Sequence, residues 1–224
     1  NICKILYGAR LIALSKKDKG IRPIAVGSTF RRLTAKIACK GVRDSVGTYL
    51  RPTQIGFSTK GGCEAAVHAC RTYIRKNNGT SKVILKIDFK NAFNSVERDE
   101  MLKNIKENSP SIYAFMWQCY SSTSILFFGN DQINSEVGAQ QGDPCGPLAF
   151  SLIIQPIIEH LTSELNIWYL DDGTLGGDPD TVISDLKFII KECANIGLAI
   201  NPEKCELYFC GRRSESTIQN FAEV

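Results

Sequence analysis

Tyr169-Leu170-Asp171-Asp172 sets two carboxylates side by side between an apolar run, Asn166-Ile167-Trp168, and a glycine-rich one, Gly173-Thr174-Leu175-Gly176-Gly177. The left flank predicts a buried strand. Asp-Asp-Gly predicts a tight turn, and Thr174-Leu175 a returning strand. A hairpin tip holds two carboxylates rigidly at a point facing solvent. Adjacent anions repel, and a divalent cation is the usual offset. Asp-Asp-Gly is also ordinary turn chemistry, so on the pair alone a plain exposed turn is the better reading.

A second acid lies upstream. Val83-Ile84-Leu85-Lys86-Ile87-Asp88-Phe89 is a short apolar run ending in a carboxylate, the pattern of a buried strand whose last acid emerges at a sheet edge. Between the two acidic stretches, Gly138 to Pro147 forms a loop rich in glycine and proline, Gly-Ala-Gln-Gln-Gly-Asp-Pro-Cys-Gly-Pro. It opens onto a helix with Leu148, Leu152, Ile153, Ile157 and Leu161 inward, and Pro156 predicts a kink or boundary there. Glycines at such a start let backbone approach a ligand closely. No Gly-Lys-Ser/Thr follows, so this is not a Walker loop.

Around these lie further alternating elements. Residues 5–14 predict a strand, Ser15 to Gly20 a lysine-rich turn, and Ile21 to Val26 its partner strand. Ser28 or Thr29 predicts the cap of a helix to about residue 46, with Arg32, Lys36, Lys40 and Arg43 along one face and Leu33 and Ile37 on a core face. A loop at 51–62 precedes a helix from about Cys63 to Lys76, with Val67, Cys70 and Ile74 on one side. After Asp88, Ser95 predicts the cap of a helix running on to Ile105, and a second helix takes Ile112, Phe115, Met116 and Cys119. A hairpin spans Ile125–Phe128 and Ile133–Val137. Asp180–Ile196 predicts a helix capped by Gly197, and Glu206–Cys210 a last strand. Strands alternating with amphipathic helices argue for an α/β or α+β layered fold.

Composition narrows the classes. With 43% hydrophobic residues the chain can build a core, and a net charge of +4 suits a polyanion partner without requiring one. Nine cysteines contain no Cys-x-x-Cys pair, and His68 and His160 are the only histidines. That excludes a zinc constellation and argues for buried free thiols over a disulfide framework. No window has the apolar length of a membrane span, and no signal peptide opens the chain. The start at Asn1 and the abrupt end at Val224 suggest a piece of something longer.

Asp88 with Asp171 and Asp172 at one edge of one sheet would bind two hard cations, Mg²⁺ first, the arrangement for in-line displacement at phosphorus. Lys16, Arg22 and Lys204 are cations for a triphosphate. The motifs, in this order, resemble the reverse transcriptase domain of non-long-terminal-repeat (LINE-type) retrotransposons: Lys16 through Arg22-Pro23-Ile24, Asp88 to Phe93, Gln141-Gly142-Asp143-Pro144, Tyr169 to Asp172, and Gly197 through Lys204. The likeness covers nearly the whole chain and is weaker toward group II intron enzymes.

The resemblance implies an α+β right-hand polymerase: an antiparallel palm sheet flanked by helices, with fingers at about 1–82 and 117–141, palm at about 83–116 and 142–212, and the thumb absent. It implies metal ligation by Asp88, Asp171, Asp172 and the carbonyl of Phe89, with two Mg²⁺ ions or Mn²⁺ in their place. Phe93 matches the bulky ring under the incoming sugar that disfavours a ribose 2′-hydroxyl. Lys16 and Arg22 match triphosphate-gripping residues, Gln141 and Gly142 the loop lining the nucleotide pocket, and Lys204 the lysine that protonates pyrophosphate. The implied partners are an RNA template, a DNA primer, deoxynucleotides and the rest of a retrotransposon polyprotein, inside a cell with access to the nucleus. Gly146 departs from the serine many relatives place before the proline, and Leu170 from their alanine. Two other readings stay open: a related RNA-directed polymerase with another product, and a catalytically dead remnant that binds RNA.

Overall fold

A computed structural model of the chain describes residues 2–15 and 20–224. They divide into two units, residues 1–46 with 93–153 and residues 47–92 with 154–224.

In the first unit, two runs rich in apolar residues pair as strands. Strand β1 (Ala9–Ser15) pairs antiparallel with β2 (Ile21–Gly27), from Ala9 opposite Gly27 to Ser15 opposite Ile21. The expected strand over 5–14 starts late, because Ile2–Leu6 closes a helical turn, α1. The Gly8 N–H ends that turn on the Ile5 carbonyl at 3.1 Å. A side chain at residue 8 would strike the Ile125 carbonyl at 2.3 Å, so only glycine lets β1 enter beside its neighbour. That neighbour is β4 (Ser124–Phe128), which pairs antiparallel with β5 (Asp131–Ser135) and gives the order β2-β1-β4-β5.

Helix α2 (Thr29–Leu50) is capped as expected by Ser28, whose hydroxyl accepts from the Arg31 N–H at 3.3 Å. Its faces are not as expected. Leu33 and Ile37 are exposed, and Arg31, Ala35, Val42 and Val46 are buried. The hydrophobic pattern misled because the buried arginine has partners that remove its cost, described below. Ser95 is the last residue of helix α4 (Ala92–Ser95), and Glu97 rather than Ser95 stands at the N-cap of α5 (Arg98–Asn108). Helix α6 (Pro110–Tyr120) starts at a proline, which is pre-set for a first turn. Met101, Ile105, Ile112 and Met116 seal these two helices. Helix α7 (Gly146–Ile158) keeps Pro156 within its last turn.

The second unit is built on a sheet of order β6-β7-β3-β8, antiparallel throughout: β6 (Leu165–Tyr169), β7 (Asp172–Gly177), β3 (Val83–Ile87) and β8 (Glu206–Phe209). Central β3 buries every residue except Lys86, as its near-continuous apolar run requires. Helix α3 (Gly62–Lys76) turns Tyr73 toward the sheet, where a side chain on Gly176 would lie 3.0 Å from its ring; Val67, placed with Cys70 and Ile74 on one side, is exposed. Helix α8 (Pro179–Asn195) buries Val182, Leu186, Ile189 and Cys193 at helical spacing. Gly197, at φ +80°, ends it as expected, and the Leu198 N–H returns to the Cys193 carbonyl at 2.9 Å. Helix α9 (Glu215–Ala222), capped by Ser214, had no counterpart among the sequence expectations.

Candidate active site

The turn carrying the acids lies one residue earlier than Asp-Asp-Gly suggests. Tyr169 pairs with Asp172, so Leu170 and Asp171 are the two loop residues and β7 begins at Asp172. Two-residue hairpins need positive φ, and Leu170 supplies it at +58°. The glycine expected to make the turn, Gly173, serves another purpose. A side chain there would meet the Trp168 ring at 2.6 Å, so Gly173 lets the fully buried tryptophan lie across β7.

The register then aligns the acids. Ile87 pairs with Gly173 as the last rung of β3 against β7; Asp88 follows Ile87 directly and Asp172 precedes Gly173, and the Asp88 charge acts on Asp172. Both belong to the second unit. The Asp172 carboxyl is held above the ordinary carboxylate range, first by desolvation and then by the Asp88 charge; Lys86 works the other way. Lys86 is already engaged, with its ammonium 2.8 Å from a Glu206 carboxylate oxygen. A pair of half-compensated carboxylate oxygens is the donor chemistry that a hard divalent cation fits. Among the described residues, no three His, Cys, Asp or Glu side chains are gathered as a ready metal cluster.

The segment after α8 braces Asp88. The Asn201 N–H donates to the Asp88 carbonyl at 2.8 Å, and Asn201 Nδ2 to Asp88 Oδ1 at 3.3 Å. Phe89 forms a single bridge with Ile200, and its ring stacks on Trp168 with centroids 6.1 Å apart. A 3₁₀ turn, Pro202–Lys204, follows Asn201 directly, which ties Lys204 to the strand end bearing Asp88. Asp88, Phe89, Asp171, Asp172 and Lys204 thus share one unit and one end of its sheet.

Gln54 is a residue that sequence reading passed over. It lies in the 51–62 loop with its side chain wholly buried, and it bonds to both polar groups of the Leu170 backbone. No local pattern signals such a contact, because its partner is 116 residues away.

The other candidate residues belong to the first unit. Lys16 lies outside the described residues. Arg22 is exposed on β2. The Gln141 carbonyl accepts from the Ala25 N–H at 2.7 Å, which seats the glycine-rich loop on β2. Gly142 has φ +116°, and a side chain there would meet the Ala25 carbonyl at 2.7 Å. Phe93 is half-buried on α4; its ring packs 4.9 Å from that of Phe150, and a β-carbon on Gly146 would lie 3.8 Å from it, an ordinary contact.

A buried polar network holds this loop. The Arg31 guanidinium donates to Asp143 Oδ2 at 2.7 Å, to Gln140 Oε1 at 2.8 Å and to the Tyr7 carbonyl. The Tyr120 hydroxyl donates to the same Asp143 oxygen at 2.7 Å, and the Cys145 N–H to the other at 2.9 Å. Arg98 donates to the Gly138 and Ser135 carbonyls at 3.0 and 2.7 Å. Both cations stand over the Tyr120 ring, at 5.4 and 5.2 Å.

Comparisons with known proteins bear on the family and the fold. The Retrotransposable element SLACS 132 kDa protein of Trypanosoma brucei gambiense is 24% identical over 215 residues, which are 90% of this chain and 18% of that protein. Apo telomerase from Candida tropicalis, truncated from its C-terminal domain, superposes with a TM-score of 0.63 at 13% identity, over 94% of this chain and 51% of that one. Telomerase from Candida albicans, in complex with the TWJ fragment of telomeric RNA, gives 0.66 at 11% identity, over 92% and 42%. The chain therefore spans under a fifth of the curated relative and about half or less of the telomerase chains. The structural likeness speaks for the fold, an α+β right-hand polymerase with palm and fingers. A profile of one family matches residues 14–219, and by that match the chain belongs to the reverse transcriptase (RNA-dependent DNA polymerase) family.

Proposed function

We propose that the chain is the polymerase domain of a non-long-terminal-repeat retrotransposon, adding deoxynucleotides to a primer 3′-hydroxyl on an RNA template as part of a larger polyprotein. The observation that carries this is the nearness of Asp88, just past β3, to Asp172 at the start of β7, where each adjoins the Ile87–Gly173 pair and the Asp88 charge acts on Asp172, in a chain of this family. Reverse transcriptases use divalent metal ions. Here Asp88, Asp171, Asp172 and the Phe89 carbonyl would hold two Mg²⁺ ions, or Mn²⁺. Bound there, the cations would activate the attacking hydroxyl and stabilise charge on the leaving pyrophosphate.

The chain's own residues do the remaining work. Lys204 donates the proton that leaves with pyrophosphate. Lys16 and Arg22 grip the triphosphate, and Gln141 and Gly142 line the nucleotide pocket with backbone. Phe93 excludes a ribose 2′-hydroxyl, its ring backed by Phe150. Template pairing supplies sequence and pocket shape supplies selectivity. The fingers are about 1–82 and 117–141, and the palm about 83–116 and 142–212.

The test is primer extension at low salt on poly-rA primed with oligo-dT, for the wild type and Asp171→Ala. Mg²⁺-dependent incorporation of dTTP that Asp171→Ala abolishes supports the proposal. Incorporation that survives Asp171→Ala overturns the assignment of the acids.

A further inference from the structure

Gln54 has no part in the chemistry above, yet its whole carboxamide is committed to the turn that carries the acids. Nε2 donates to the Leu170 carbonyl at 3.0 Å, and Oε1 accepts from the Leu170 N–H at 2.8 Å. Oε1 also accepts from the Gly56 N–H at 3.0 Å. The side chain thus imitates one rung of a β-ladder against a single residue.

The surrounding backbone leaves that rung little play. The Trp168 N–H donates to the Thr53 carbonyl, and the Ile55 N–H to the Trp168 carbonyl, both at 2.8 Å. The loop therefore runs parallel to the outer edge of β6 and ends at the turn. A side chain on Gly56 would lie 2.4 Å from the Leu170 nitrogen, so the loop could not approach so closely with any other residue there.

Leu170 needs holding. A leucine at φ +58° is in the left-handed region, which a residue bearing a β-carbon seldom occupies without surroundings that enforce it. Asp171 and Asp172 follow directly, so a turn that relaxed out of this conformation would re-aim both.

We propose that Gln54 is a positioning residue for the metal-binding turn: its carboxamide holds Leu170 in the left-handed conformation and thereby sets the direction of Asp171 and Asp172. The proposal rests on the polymerase reading for its purpose, but its structural claim can fail separately. Partners that orient ligands from behind typically change metal affinity about 10–100-fold when removed.

The experiment measures cation binding directly. Tb³⁺ luminescence, sensitised through Trp168 and Tyr169, is titrated on the full chain and then displaced with Mg²⁺. The variants are Gln54→Met, of equal length without the amide; Gln54→Asn, one methylene too short; Leu170→Gly, which adopts positive φ freely; Gln54→Met/Leu170→Gly; and Asp172→Asn. Circular dichroism and melting temperature are recorded for each. Gln54→Met and Gln54→Asn should raise the half-saturating Tb³⁺ and Mg²⁺ concentrations about tenfold or more. The double variant should return to within about threefold of wild type, because glycine needs no clamp. A merely structural role would lower the melting temperature without that rescue.

Wild-type affinity in Gln54→Met overturns the proposal, as does a loss that Leu170→Gly leaves unrepaired. Should Gln54→Met fail to fold, Gln54→Asn is read by the same criteria. A wild type that binds neither ion, or binding untouched by Asp172→Asn, overturns both the clamp and the metal assignment. A shifted and rescued affinity without primer extension by the wild type upholds the clamp and refutes the polymerase.

Discussion

Replacing Asp143 with alanine strands a buried arginine. The two charged side chains are 2% and 4% exposed, and their closest atoms are 2.7 Å apart. Removing the carboxylate leaves the Arg31 cation with two neutral acceptors, Gln140 Oε1 and the Tyr7 carbonyl, and takes an acceptor from the Tyr120 hydroxyl and the Cys145 N–H. Breaking a buried pair from one side typically costs about 3–5 kcal/mol, since the remaining charge cannot reach water. For a chain of this size each kcal/mol lowers the melting temperature by about 2–4 °C, so a fall of roughly 6–20 °C is expected.

The logic makes a second, sharper demand. Arg31→Met added to Asp143→Ala removes the stranded charge, so the double variant should recover about 1–3 kcal/mol relative to Asp143→Ala alone. Urea titration followed by circular dichroism, on the wild type, both singles and the double, gives the coupling directly. A loss under about 1 kcal/mol for Asp143→Ala, or a double variant no more stable than the worse single, would refute the reasoning. Either result would mean that the network is solvated or that the loop relaxes around the lost charge.

Three further outcomes follow from the geometry. Phe93→Ala should raise incorporation of ribonucleotides relative to deoxynucleotides in primer extension, and unchanged sugar selection would remove Phe93 from that role. Gly142→Ala combines a strained φ of +116° with a collision on the Ala25 carbonyl. It should destabilise the chain by about 1–3 kcal/mol in urea and raise the KM for deoxynucleotide, whereas wild-type values would show that the loop is free to move. Iodoacetamide at pH 8 should label exposed Cys3 and Cys63 first. Burial pushes the Cys119 thiol up to about 11 and the Cys193 thiol up to about 12, so both should stay unlabelled until urea unfolds the chain, as peptide mass mapping would read.

Much of the framework was legible because it rests on local patterns. Apolar Val83–Ile87 is the central strand, and Val182, Leu186, Ile189 and Cys193 keep helical spacing on α8. Ser28 and Gly197 act as the caps their chemistry predicts. Where structure and sequence pattern part, the cause is shared: a residue's class does not fix its fate. Apolar Leu33 and Ile37 predict a core face, yet α2 turns Arg31 inward. The energy that permits this comes from Asp143, Gln140 and Tyr7, more than 100 residues away for the first two, and no window of sequence around Arg31 contains them.

The acidic turn shows the same limit more finely. Glycine is the residue that accepts positive φ at least cost, so Asp-Asp-Gly reads as the turn. The chain instead places leucine in that conformation and uses Gly173 to admit the Trp168 ring. A hairpin with glycine at its tip would form on its own and tolerate several geometries. A leucine tip is held only where something enforces it, and the Gln54 carboxamide is placed to do so from a loop whose sequence shows only a glutamine near glycines. The acids were visible because their chemistry is written in residue type. What aims them is a hydrogen-bond pairing between side chain and distant backbone, and residue type alone does not encode the partner.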